Sequence, residues 1–157
     1  MPARIDLYKS WPAGYEAMIN LQATLDGAGL DPLLVELIKT RVSQINACAY
    51  CIDMHTKDAR ALGETEQRLY ALNAWHETPF FTDKERAALA LAESITLLAD
   101  THVPDDVVDE ARRHFDDEEL TKVVFQIVAI NAWNRIAVTG RTEVGGYRSR
   151  KGAKANA

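Results

Sequence analysis

The chain has 157 residues, 47% of them hydrophobic and 26% charged, with a formal net charge of −5. That length suits one domain with a real core, and the acidic balance argues against general nucleic-acid binding, which calls for a basic footprint. No apolar run approaches the ~20 residues of a membrane span, and the stretch from Met1 to Lys9 lacks the continuous apolar segment of a signal peptide, so no membrane association and a cytoplasmic location are expected.

The hydrophobic pattern is helical nearly throughout, and an all-α domain of six to seven helices is predicted. A first helix is expected from Pro12 to Leu25, stopped by Gly27 and Gly29. Asp31 and Pro32 form a start signal, with the carboxylate as cap and proline at the first helical position. The helix they open carries Leu33, Leu34, Leu37, Ile38 and Val42 on its apolar side. A turn is predicted at Ile45–Ala47, with Asn46 capping a third helix that runs from Cys48 to Leu62 and ends at Gly63. Glu64 to Trp75 reads as a short fourth helix. Thr82 and Glu85 have capping-box spacing and open a long apolar helix reaching Ala99. Pro104 starts another, bearing Val107, Val108, Ala111 and Phe115. Asp116 or Asp117 begins the last, where Leu120, Val123, Val124, Ile127, Val128 and Ile130 make a face wide enough for a central or interface helix. Residues 1–145 are therefore read as a single all-helical domain. Residues 146–157, rich in glycine and basic side chains, are read as a solvated, mobile tail.

The chemistry-bearing feature is Cys48-Ala-Tyr-Cys51-Ile-Asp-Met-His55, which contains both cysteines of the chain. In the cytoplasm a structural disulfide is not expected, so a CxxC pair reads as catalytic or metal-binding. Residues three apart in a regular helix have Cβ atoms ~5–6 Å apart, whereas a disulfide needs ~3.5–4.5 Å. The pair closes most easily with Cys48 at the helix start and Cys51 in the first turn. Free N–H groups and the helix dipole there favour thiolate, the form that attacks peroxides and disulfides. His55, four residues after Cys51, shares its helical face, and imidazole suits proton transfer near neutral pH.

Glu36 is the candidate to orient that histidine. On one straight helix Glu36 and Cys48 would lie ~18 Å apart. If the chain reverses near Ile45 and Asn46, Glu36 and His55 stand about equally far from the turn, and antiparallel helices bring them level. Carboxylate, imidazole and thiol in a row is the orienter–base–nucleophile arrangement of an activated cysteine. Two bland alternatives compete. The cysteines can be ordinary core residues, or Cys48, Cys51, His55 and Glu36 can hold zinc, although no second CxxC or HxxxH pair accompanies them. Thioredoxin-type chemistry needs a βαβ setting that a helical chain lacks.

The pattern Glu36-x11-Cys48-x2-Cys51-x3-His55, within the run from Glu36 to His55, resembles the alkylhydroperoxidase AhpD-like, CxxC-containing branch of the carboxymuconolactone decarboxylase superfamily. The similarity extends over roughly residues 15–140 and takes in Leu72–Trp75 and Asn131–Arg135. The resemblance implies an all-helical fold assembled as trimers or hexamers, and peroxidatic and disulfide-reductase activity with no cofactor, neither metal nor flavin. It assigns Cys51 as the peroxidatic thiol that a hydroperoxide oxidises to a sulfenic acid, Cys48 as the resolving thiol, and His55 as a proton relay towards Glu36. A dithiol donor on a lipoyl-carrying or thioredoxin-like partner would reopen the disulfide. The founding alkylhydroperoxidase carries histidine immediately before the second cysteine, where this chain has Tyr50, and a phenol is a poor general base near neutrality. The superfamily's decarboxylases lack the CxxC pair, which weighs against lactone decarboxylation. A non-enzymatic redox-sensing or zinc-binding module, or a lyase or isomerase using His55 and Glu36 alone, are the alternatives.

Among other residues, His76 reads as a surface or capping residue, and His102 and His114 as structural residues beside helix ends. Trp133 is expected in the core or a subunit interface. Asn131, Asn134 and Arg135 interrupt an apolar helix and so need partners, for which an inter-subunit network is expected. Arg41, close to the hairpin turn, reads either as a thiolate-favouring cation or as a surface residue.

Overall fold

A computed structural model describes residues 2–151. Among the described residues every regular element is helical: α1 Leu7–Ser10, α2 Pro12–Asp26, α3 Pro32–Ile45, α4 Ala49–Ala61, α5 Glu66–Ala71, α6 Asp83–Thr96, α7 Leu98–Thr101, α8 Asp105–Arg112 and α9 Asp117–Gly140. The all-α expectation holds. The helix count exceeds it because α1 and α7 are four-residue turns that hydrophobic periodicity does not register. The predicted fourth helix is also two pieces, since α5 passes at Leu72 into a 3-10 segment, Leu72–Glu77, kinked at Ala74.

Local signals fix most helix ends. The Asp31 carboxylate accepts from the Leu33 N–H at 3.0 Å, with Pro32 opening α3. Thr82 and Glu85 complete a reciprocal capping box at the start of α6. Asp116 caps α9 by accepting from the Glu119 N–H. Gly29 and Gly63 adopt positive φ just beyond α2 and α4, where other residues would be strained.

The hairpin of α3 and α4 is the heart of the fold. α3 packs against α4, α6 and α9, and nine of its residues are buried, including the apolar Leu34, Leu37, Ile38 and Val42. Leu34, Ile38 and Val42 join Cys48, Cys51, Ala88, Val123 and Ile127 in the main core cluster. A second cluster of Leu37, Ala59, Leu72, Trp75, Phe81 and Leu89 lies on the other side. The chain reverses at Ala47, whose φ of 51° is left-handed.

Asn46 does not cap α4. It is the C-terminal cap residue of α3, and Cys48 occupies the N-cap position of α4. The Asn46 side chain instead reaches α9, donating from Nδ2 to Asn131 Oδ1 at 3.0 Å and to Asn134 Oδ1 at 2.9 Å. Asn134 Nδ2 donates to Ser43 Oγ at 3.1 Å, Asn131 Nδ2 to Thr96 Oγ1 at 3.0 Å, and Arg135 bonds to Asn131. The expected inter-subunit partners are thus found within the chain, because the hairpin turn itself lies against the polar positions of α9. Asn134 is 1% exposed. Replacing it with alanine removes one partner each from Asn46 and Ser43, which keep Asn131 and the Lys39 carbonyl, and should lower unfolding free energy by about 0.5–1.5 kcal/mol in denaturant titration.

The solvated, mobile tail is expected over residues 146–157. Residues up to Lys151 run back across α4 and α3: the Tyr147 hydroxyl donates to Asp58, and the Lys151 ammonium donates to Glu36. Of that expectation, residues 152–157 lie outside the described residues. No described helix is long and apolar enough to cross a membrane.

Candidate active site

The reversal at Ala47 places Cys48 half in and half out of α4, with φ −84° and ψ 94°, and Cys51 in the first helical turn. The Cα atoms are 5.4 Å apart and the two sulfurs are joined in a disulfide. Cys48 Sγ also accepts the Cys51 backbone N–H at 3.4 Å, so the sulfur serves as helix cap. Both residues are buried, yet they face differently. Cys51 lines a cavity of about 360 Å³, while Cys48 sits behind it in the core.

One turn along α4, His55 lines the same cavity. Antiparallel packing in the hairpin brings Glu36 level with it, and His55 Nδ1 lies 2.8 Å from Glu36 Oε2. Glu36 is completely buried. Burial alone would push its carboxyl up, but the hydrogen bond and charge of His55 and the ammonium groups of Lys39 and Lys151 outweigh it and hold the carboxyl down at about 2. An ionised carboxylate can only accept, so Nδ1 carries the hydrogen and Nε2 is left as the nitrogen available for proton exchange.

Four residues not singled out from the sequence complete the cluster. Lys151 Nζ lies 2.5 Å from Glu36 Oε1. Lys39, one turn after Glu36 on α3, lies 4.0 Å from the same oxygen and 3.8 Å from Asp26. Burial lowers the Lys39 pKa, while Glu36 and Asp26 partly restore it. Asp58, one turn after His55, is buried and accepts from the Tyr147 hydroxyl with both oxygens, at 2.9 and 3.1 Å. Burial and the Asp58 carboxylate both raise the pKa of that hydroxyl. Helical spacing from Glu36 and His55 contained a signal for Lys39 and Asp58. Nothing local announces Tyr147 or Lys151.

Glu36, His55 and Asp58 bring one nitrogen or oxygen each within 4.8 Å of one another. Their hydrogen bonds form two separate sets, Glu36 with His55 and Lys151, and Asp58 with Tyr147. Tyr15, Tyr50, Met54, Trp133 and Ile136 supply an aromatic and aliphatic part of the cavity lining. Trp133, expected in the core or an interface, touches the core but also lines this cavity, its ring edge-on to Tyr15 at 5.3 Å. Arg41 turns away from the thiols to Glu93 and Asn73, at 2.6 and 2.7 Å. His76 stacks on Trp75 and reaches Glu93, outside the Cys51 cavity.

Comparison with known proteins supplies the context for this geometry. The carboxymuconolactone decarboxylase family model matches residues 12–94. The uncharacterized protein YdfG of Bacillus subtilis is 45% identical over 138 residues, covering 88% of this chain and 94% of that protein. A crystal structure of an Agrobacterium tumefaciens protein of unknown function, proposed there as the antioxidant defence protein AhpD, superposes with a TM-score of 0.90 at 40% identity, covering 93% of this chain and all of that one. The debrominase Bmp8 shares the fold at 20% identity, with a TM-score of 0.75 over 86% of this chain and 73% of its own.

Proposed function

Because the chain belongs to the carboxymuconolactone decarboxylase family, in its AhpD-like, CxxC-containing branch, we propose that it is a cysteine-based hydroperoxide reductase and disulfide oxidoreductase. The observation that carries this reading is the arrangement around Cys51: a CxxC pair at a helix start, its second sulfur on a cavity that also holds a histidine backed by a buried carboxylate.

In the reduced enzyme the Cys51 thiolate attacks the terminal oxygen of a hydroperoxide. The O–O bond breaks, Cys51 becomes a sulfenic acid, and the alkoxide leaves as an alcohol by taking a proton from the His55 imidazolium. Cys48 gives its proton to His55 Nε2, directly or through water, and attacks the sulfenic sulfur. The Cys48–Cys51 bond forms and hydroxide leaves as water with that proton. An external dithiol then attacks the disulfide, and thiol–disulfide exchange restores both thiols while the donor becomes a disulfide. In sum, hydroperoxide and dithiol yield alcohol, water and oxidised donor. Glu36 holds His55 in one tautomer and stabilises its cation, which is what an orienting carboxylate does for a general base.

The partners proposed are a hydroperoxide, a lipoyl-carrying or thioredoxin-like dithiol donor, and further copies of the chain in a trimer or hexamer. Phe125 and Val128, large apolar residues about half exposed on α9, support self-association. The cytoplasm, where such donors are kept reduced, is the proposed setting.

Thiol titration of denatured protein tests the reading. Reduced protein treated with one equivalent of hydroperoxide should lose two thiols and regain both with dithiol. The Cys48→Ser variant should lose its single thiol without forming an intramolecular disulfide. Two thiols that remain unreacted in the wild type would refute the assignment.

A further inference from the structure

We propose that Lys151 is a positioning residue for the Glu36–His55 pair: the C-terminal segment returns to the site and delivers an ammonium group to the carboxylate oxygen that His55 does not use. This rests on the reading above, in which that pair serves Cys51.

The two Glu36 oxygens are divided between partners from different parts of the chain. Oε2 takes His55 Nδ1 at 2.8 Å and Oε1 takes Lys151 Nζ at 2.5 Å. Lys39 does not duplicate the contact, since 4.0 Å is beyond hydrogen-bond reach and its charge is shared with Asp26. The other titratable groups around Glu36 are Asp58 on α4, hydrogen-bonded to Tyr147, and Tyr50 at the cavity wall. Charges in this cluster are therefore three carboxylates, Asp26, Glu36 and Asp58, against Lys39, Lys151 and whatever proton His55 carries. Lys151 is 36% exposed at its side chain, whereas Lys39 is 5% exposed. Of the two cations near Glu36, the one in hydrogen-bond contact is thus the more exposed.

The segment is anchored to α4 at two further points and braced by one contact of its own. The Tyr147 hydroxyl is fixed on Asp58, the Tyr147 carbonyl accepts from Lys57 Nζ at 3.2 Å, and the Lys151 N–H donates to Ser149 Oγ at 3.1 Å. These contacts aim Lys151 at Glu36 across the edge of the Cys51 cavity, which both Tyr147 and Lys151 line.

The functional consequence follows from charge. Removing one fixed cation makes every proton loss from the coupled cluster less favourable, so the cysteine ionises at higher pH. The test measures the rate at which iodoacetamide alkylates Cys51 in reduced Cys48→Ser protein, as a function of pH. Lys151→Met in that background should raise the pH of half-maximal alkylation by roughly one unit. Lys151→Arg should restore it, because guanidinium also pairs with a carboxylate. Arg148→Gln, which removes equal charge from the same segment without touching Glu36, should leave it in place. Far-UV circular dichroism checks folding, and Lys151→Gln serves as a second neutral variant. A Lys151→Met profile that superimposes on its parent, or an Arg148→Gln shift of equal size, overturns the proposal. No hydroperoxide enters this assay, so a wild type that fails to consume hydroperoxide would sink the functional reading while the pH shift still judges Lys151.

Discussion

Cys51→Ser is expected to abolish hydroperoxide consumption, with a loss of at least about 10³-fold in the presence of excess dithiol. The expectation comes from position. Cys51 is the sulfur on the cavity wall and shares that wall with His55, while Cys48 is covered by core residues. A serine hydroxyl there has no thiolate form near neutral pH and no chemistry towards an O–O bond. The fold should barely register the change, because the N-cap interaction of α4 uses the sulfur of Cys48. Peroxide consumption and a thermal melt, measured on the same preparation, separate the two effects. A variant that keeps consuming hydroperoxide at more than a few per cent of the wild-type rate would exclude Cys51 as the peroxidatic group.

Glu36→Ala should be the most destabilising change at the site, lowering unfolding free energy by about 3–5 kcal/mol. It leaves the Lys151 and Lys39 ammonium groups and the His55 N–H facing a buried void where a carboxylate stood. Glu36→Gln retains the shape and an acceptor for His55, so it should be milder and should separate charge from packing. The pH dependence has a definite sign. The folded-state carboxyl is held at about 2, below its ordinary 4.5. A depressed carboxylate contributes stability that is fully present above the unfolded value and lost as pH falls through the folded one. Wild-type stability should therefore decline between about pH 4.5 and pH 2, and Glu36→Gln should flatten the curve across that window. Denaturant midpoints at a series of pH values read this directly, and parallel curves for the two proteins would show that Glu36 is not held ionised.

Much of this arrangement was legible in the sequence because its causes are local. Asp31 with Pro32, Thr82 with Glu85 and Asp116 announce helix starts by side-chain chemistry alone. The turn near Asn46 sets the register of the hairpin, and that register alone puts Glu36 beside His55. Asn46 does not take the capping role its type and place suggest. A short amide at a helix boundary is a generic capping signal, and the partners that outbid the cap, Asn131 and Asn134, are 85 and 88 positions away. The need of Asn131 and Asn134 for partners was readable from their place in an apolar helix, but the identity of those partners was not. Lys39 and Asp58 are legible in principle, each standing one helical turn from Glu36 or His55. Tyr147 and Lys151 were hidden for a different reason. Composition describes how a segment behaves when nothing holds it, and a basic, glycine-rich stretch reads as solvated until the buried carboxylates it meets are known.

The contact between Lys151 and Glu36 spans 115 positions of sequence. During synthesis the hairpin with its dithiol emerges early, and the chain must grow by 100 residues after Cys51 before Lys151 exists. At ordinary elongation rates that interval is on the order of 5–20 s. For that time the nascent polypeptide has its sulfurs, its imidazole and its carboxylate, but not the cation that completes their electrostatic balance. The two thiols are thus made well ahead of the environment they work in.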